Sequence, residues 1–133
     1  MYNFGIRIYT MQLKPKNILV VDDAPFIIER LLEMLQDIPG VGNILAAGNY
    51  EEAMLIFPGS SIHILLADIH LPGRNGIELL KEVRNSYPLV KVIMVSNMTS
   101  SYYLKACSDA GAEQLIDKSK AFDLLPELLK RYL

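Results

Sequence analysis

The 133 residues, 51% hydrophobic and 21% charged, are enough for one compact domain and too apolar for a disordered tail. Thirteen basic residues against fifteen acidic ones leave a formal charge of −2, which calls for neither a nucleic acid nor an anionic membrane as partner. The single cysteine, Cys107, excludes a disulfide framework and a multi-cysteine zinc site and suits a reduced, cytoplasmic compartment, and no apolar run nears the roughly 20 residues that span a bilayer.

Residues 1–16 read as an N-terminal extension. Arg7 breaks the apolar stretch between Ile6 and Ile8, which disfavours a signal peptide, while Phe4, Ile6 and Ile8 alternate as a short extra strand would. From Asn17 the chain alternates short apolar runs with helical periodicity. Ile18 to Val21 predicts a buried parallel strand that stops at Asp22 and Asp23. Pro25 then opens a helix with Ile28, Leu31, Leu32, Leu35 and Ile38 on one face, and Pro39-Gly40 stops it. Gly42 to Ala47 is a second strand, and Asn49 with Glu52 forms a capping-box signature for a helix that Pro58-Gly59 closes. Ile62 to Ala67 predicts a third strand ending at Asp68. The loop His70-Leu71-Pro72-Gly73-Arg74 follows, then a third helix with Asn75 and Glu78 as a cap pair and Ile77, Leu80 and Val83 facing inward. Val90 to Val95 is a fourth strand ending at Ser96, and Gly111 ends the fourth helix, which Thr99 or Ser100 caps. Gln114 to Ile116 is the fifth strand, just before Lys118. Pro126 argues for a late start to the last helix, near Leu124 with Asp123 as N-cap, so that proline falls in the first turn.

Strand–helix alternation of this kind gives an open parallel sheet covered on both faces, with ligands bound beyond the carboxyl ends of the strands. Asp22, Asp23, Asp68, Ser96 and Lys118 fall at those ends. Clustered carboxylates repel unless a cation joins them, and oxygen-only ligands suit Mg²⁺ better than Zn²⁺. A carboxylate is also a nucleophile toward phosphorus, and a lysine and a hydroxyl beside it can bind the transferred oxygens. Taken singly, each side chain has an ordinary structural reading: a cap for Asp22-Asp23 and Ser96, a turn for Asp68, a solvated charge for Lys118. Their joint placement favours a site.

Ile18 to Asp23, Leu66 to Gly73 with Asn75-Gly76, Val92 to Ser96, and Gly111-Ala112 leading to Lys118 resemble the receiver domain of two-component response regulators. The likeness runs from about Asn17 to the C-terminus and extends to stand-alone chemotaxis-type receivers and to receivers of helix-turn-helix regulators. It implies a flavodoxin-like, doubly wound α/β/α fold: a five-stranded parallel sheet in the order 2-1-3-4-5 with five helices, spanning residues 17–133. It also implies that Asp68 accepts a phosphoryl group from a histidine kinase or phosphotransfer protein. Asp23, Asp68 and the backbone carbonyl of His70 would ligate Mg²⁺ directly, and Asp22 through a water. Ser96 matches the switch hydroxyl, and Lys118 the lysine that pairs with the phosphoryl group. His70 and Met98 occupy positions that tune how fast that group comes and goes.

Two positions depart from the family pattern. Ser119 stands where proline often follows the lysine, as in receivers attached to helix-turn-helix domains, and Leu115 replaces the aromatic residue of the fifth strand. The reading that follows is a signalling switch rather than an enzyme, catalysing only its own phosphorylation and dephosphorylation. Its output partner would be a protein on the face formed by the fourth helix, fifth strand and fifth helix, with Tyr102, Tyr103 and Lys105 contributing. It predicts no direct nucleic-acid contact, and a homodimer is compatible with it. The alternatives are a phosphorylation-independent interaction module, a receiver cut from a longer DNA-binding regulator, and a phosphohydrolase; the last is disfavoured because Asp22 and Asp23 are adjacent rather than spaced D-x-D.

Overall fold

Apolar runs without polar interruption need cover on both faces, and a parallel sheet between two helical layers provides it. The computed structural model describes residues 14–133; the strand expected around Phe4 to Ile8 lies outside the described residues. The strands are β1 (Lys16–Val21), β2 (Val41–Ala47), β3 (Ile64–Ala67), β4 (Lys91–Ser96) and β5 (Gln114–Asp117). They form one five-stranded parallel sheet in the order β2-β1-β3-β4-β5. Between and after them run α1 (Pro25–Leu35), α2 (Tyr50–Ile56), α3 (Gly76–Ser86), α4 (Ser101–Asp109) and α5 (Ala121–Leu129). The predicted flavodoxin-like topology is the observed one.

Side chains alternate across each strand, so the core divides in two. Leu19, Val21, Leu65, Ala67, Val92 and Met94 pack with Ala53, Phe57, Leu79, Leu80, Val83 and Cys107 from α2, α3 and α4 and the turn after α2. Ile18, Val20, Ile64, Leu66, Ile93 and Val95 pack with Leu31 and Leu35 of α1 and Leu125 and Leu129 of α5. Register decides what leaves the sheet together. Val21 is level with Ala67, so Asp22 and Asp68 emerge side by side, and Ser96 is level with Asp117, which puts Lys118 next along.

The caps of α2 and α3 are largely as the sequence predicts, whereas Ser100, at the N-cap position of α4, makes no side-chain cap bond. Asn49 Oδ1 accepts from the Glu52 amide, although the Glu52 carboxylate returns to the Gly48 amide, one residue earlier than a standard capping box. Asn75 Oδ1 accepts from the amides of Ile77 and Glu78, while the Glu78 carboxylate pairs with Arg74 instead of reaching back. The strand β3 begins at Ile64, so His63 precedes it; its Nδ1 accepts from the Asn17 amide. Leu79 rather than Ile77 joins Leu80 and Val83 on the buried face of α3. Gly111, at φ +98°, turns the chain out of α4, and a Cβ there would lie 2.8 Å from the Arg84 guanidinium, whose N–H groups bind the carbonyls of Pro88, Val90 and Gly111.

The start of the last helix differs from expectation. Asp117 Oδ1 accepts from the Ser119 amide and caps a 3₁₀ turn at Lys118–Lys120, which runs straight into α5 at Ala121. Pro126 is therefore interior, and with no N–H it leaves the Phe122 carbonyl, four residues back, without its helical partner. An interior proline costs about 3 kcal/mol in a free helix. Burial of Ala121, Leu125 and Leu129 offsets that cost, and a late start at Leu124 would forfeit Ala121 and detach Phe122, on whose ring the Arg30 guanidinium of α1 sits at 4.4 Å.

No helix among the described residues is long and apolar enough to cross a membrane. The close approach of α3 to the end of β3 yields a test. The Gly76 amide donates to the Ile69 carbonyl at 2.7 Å, and a Cβ at Gly76 would stand 1.9 Å from the backbone oxygen of Asp68. An ordinary helical glycine changed to alanine gains up to about 1 kcal/mol. Here Gly76→Ala is expected to lose about 1–3 kcal/mol or more in urea unfolding, because backbone must move; a gain would show that the approach is looser than described.

Candidate functional site

The site is made by strand ends. The Asp68 amide donates to the Val21 carbonyl and the Asp22 amide to the Ala47 carbonyl, so both residues are anchored to neighbouring strands before their side chains leave the sheet. Asp22 and Asp68 are buried; Asp23, one residue further out, is exposed. Oxygens of Asp22, Asp23 and Asp68 lie within 4.8 Å of one another. Like charges about 4 Å apart repel by roughly 4 kcal/mol at an effective dielectric near 20, so three carboxylates this close require compensation.

Lys118 supplies part of it. Its Nζ lies 2.5 Å from Asp22 Oδ2 and 2.9 Å from Asp68 Oδ2, and its side chain is 12% exposed. Burial pulls the ammonium group's pKa down, but the hydrogen bonds and charges of the two aspartates outweigh it and hold the value above that of a free lysine. Lys118 is thus a fixed positive charge at neutral pH. The other oxygens are also held: Asp22 Oδ1 accepts from the Ala24 amide at 2.9 Å, and Asp68 Oδ1 from the His70 amide at a longer 3.3 Å.

Four of the residues singled out in the sequence, Asp22, Asp23, Asp68 and Lys118, therefore meet. Ser96 is completely buried at the end of the adjoining strand β4, and its Oγ accepts from the Met98 amide at 3.2 Å rather than bonding to the acidic group. The carboxylate set fits a hard divalent ion in the chemistry of its donors: oxygen only, with no His or Cys among them. His70 contributes no ring nitrogen to it. Its imidazole instead meets the Tyr103 ring edge-on, centroids 5.6 Å apart, and Tyr103 meets Tyr102 in the same manner at 5.1 Å. Sequence reading assigned those tyrosines to α4 without finding the contact, because no local pattern reveals a pairing across 33 residues (103 minus 70). It also missed why Gly76 is needed: only the fold shows that α3 starts against the Asp68 carbonyl.

Comparison with known proteins agrees with this geometry. The response regulator receiver domain family matches residues 18–130. Among curated proteins, the transcriptional regulatory protein MalR of Bacillus subtilis is 31% identical over 116 residues, covering 87% of this chain and 49% of MalR. A probable C4-dicarboxylate response regulator, DctR, from the same organism is 26% identical, over 92% of this chain and 54% of its own length. The chain thus spans about half the length of these curated relatives. Among solved structures, a CheY-like receiver domain protein from Methanospirillum hungatei superposes with a TM-score of 0.81 at 29% identity, over 89% of this chain and 93% of that one. The RcsB response regulator of Salmonella typhimurium shares the fold with a TM-score of 0.82 at 23% identity, over 89% of this chain and 59% of its own. Strand order, acidic cluster and family match converge: this chain belongs to the response regulator receiver domains of two-component signal transduction.

Proposed function

We propose that Asp68 is the phosphoacceptor of this receiver and that its modification switches a protein-binding surface. The observation that carries the reading is the Lys118 ammonium between two buried carboxylates, one of them at the end of the central strand β3. An oxygen of Asp68 attacks the phosphorus of a phosphohistidine on a kinase or phosphotransfer protein. The P–N bond breaks, its electron pair stays on the imidazole nitrogen, which takes up a proton, and an acyl phosphate forms on Asp68. Bound Mg²⁺ would supply positive charge for the phosphoryl oxygens; Asp23, Asp68 and the His70 carbonyl would hold it directly and Asp22 through water. Lys118, paired with Asp22 and Asp68 at rest, would pair with the new phosphoryl oxygens. The receiver unit is taken as residues 17–133 with 1–16 as an extension, working in the cytoplasm where such donors act.

The new group brings about −1.5 to −2 charge beside Ser96 and Lys118. The Ser96 hydroxyl, bonded to Met98 at rest, can turn to donate to a phosphoryl oxygen, releasing the Met98 amide and shifting the loop into α4. The His70–Tyr103 contact ties the other flank of the site to the same helix. With Leu115 on β5 in place of an aromatic, these two links carry the change. On the face of α4, β5 and α5, Tyr102, Leu104 and Leu124 are exposed, and a 400 Å³ groove lined by Gln114, Ile116, Leu124, Glu127, Leu128 and Arg131 separates β5 from α5. Such apolar and aromatic groups ringed by charge suit a protein partner. In the longer relatives the recipient of the signal would be an attached domain; here it would be that domain or a separate protein.

Two measurements test this. Intact mass after incubation with acetyl phosphate and Mg²⁺ should show one acid-labile phosphoryl group on the wild type and none on Asp68→Asn; labelling of the variant would move the acceptor elsewhere. Asp23→Asn should lose Mg²⁺ affinity while keeping or gaining thermal stability, since it removes one repelling charge. A variant that unfolds more easily yet still binds Mg²⁺ would make Asp23 a structural residue.

A further inference from the structure

The two poles of the sheet carry opposite charge. At the carboxyl ends of the central strands stand Asp22 and Asp68, whereas Lys16 opens β1, His63 precedes β3 and Lys91 opens β4, three neighbouring strands. Backbone bonds hold these starts together: the His63 amide donates to the Asn17 carbonyl and the Lys91 amide to the His63 carbonyl. Beside them opens a cavity of about 600 Å³, lined by all three basic residues. Sites for small organic molecules usually measure about 300–1,000 Å³, apolar with a few converging polar groups.

The lining has both parts. The Tyr87 ring forms an aromatic wall, backed by the buried Phe57 ring stacked on it with centroids 4.8 Å apart at 23°, and Tyr132 closes another side. Leu89 at the rim is 89% exposed, apolar surface that no described residue covers. Against this wall, Lys16 and Lys91 take part in no ion pair among the described residues, so their ammonium groups are free to meet an anion. His63 Nδ1 accepts from the Asn17 amide at 2.9 Å, so a neutral ring carries its hydrogen on Nε2 and has a donor left over. Two unpaired ammonium groups and one imidazole N–H beside stacked rings match a flat aromatic body with a single anionic group, which neither a neutral arene nor an aliphatic anion would satisfy.

We propose that this cavity, at the pole of the sheet opposite Asp68, binds a small aromatic carboxylate. Titration of the ¹⁵N-labelled full chain with 2-naphthoate, followed by amide shifts, tests it. Saturable shifts should be centred on residues 57–63 and 87–91 and spare residues 22–24 and 68–70. The double variant Lys16→Gln/Lys91→Gln should bind about tenfold more weakly or worse, as should 2-naphthalenemethanol and butyrate with the wild type. Absence of saturable shifts in those segments at millimolar naphthoate would overturn the proposal, and so would equal binding by the double variant or of the neutral alcohol. Because the titration uses no phosphoryl donor, its result stands apart from the Asp68 reading.

Discussion

Three carboxylates at the ends of buried parallel strands repel one another, and the Lys118 ammonium is the charge that makes the arrangement stable. Almost every other feature of the site follows from that constraint. Lys118 reaches Asp22 and Asp68 only because β5 lies at the sheet edge beyond β4, with Asp117 level with Ser96. Asp22 and Asp68 are adjacent only because β1 and β3 pair in a register that ends both strands together. One lysine cannot neutralise three carboxylates. The remaining negative charge suits the cluster to a divalent cation, which on the proposed reading would also offset the charge of an incoming phosphoryl group.

The same arrangement suits a switch. The site rests on rigid strands, while its flanks are loops with hydrogen bonds that can be exchanged: Met98 on Ser96, and His70 on Asp68 at a long 3.3 Å. On the proposed reading, a change of charge at Asp68 would cost little in the sheet and would act through the loops into α4. Gly76 and the Asn75 cap fix where α3 begins, and the Gly76 amide ties that point to the Ile69 carbonyl, so the loop after Asp68 is held at both ends.

Much of this was legible in the sequence because burial on both sides makes β1, β3 and β4 continuous apolar runs, and any polar residue at their ends stands out. Asp22, Asp23, Asp68 and Ser96 stand out that way, Lys118 by its place just past the short fifth strand, and the caps at Asn49 and Asn75 by their local spacing. What escaped depends on tertiary context. The helix α5 begins three residues before its expected first residue, Leu124, because burying Ala121 outweighs the break at Pro126. The choice of Leu79 over Ile77 as the buried residue of α3 was a matter of helix rotation against the sheet. The ring of His70 on Tyr103 and the basic cavity at the strand starts both join residues remote in the chain.

The central claim, that Lys118 is what holds the acidic cluster together at rest, is tested most directly by thermal unfolding of Lys118→Met with and without Mg²⁺. Removing one partner of a buried ion pair costs about 3–5 kcal/mol, so the melting temperature should fall on the order of 10 °C in chelator. Millimolar Mg²⁺ should restore a large part of that loss, and more than it adds to the wild type, because the cation takes over the neutralising charge. A variant as stable as the wild type in chelator, with no added response to Mg²⁺, would contradict the account.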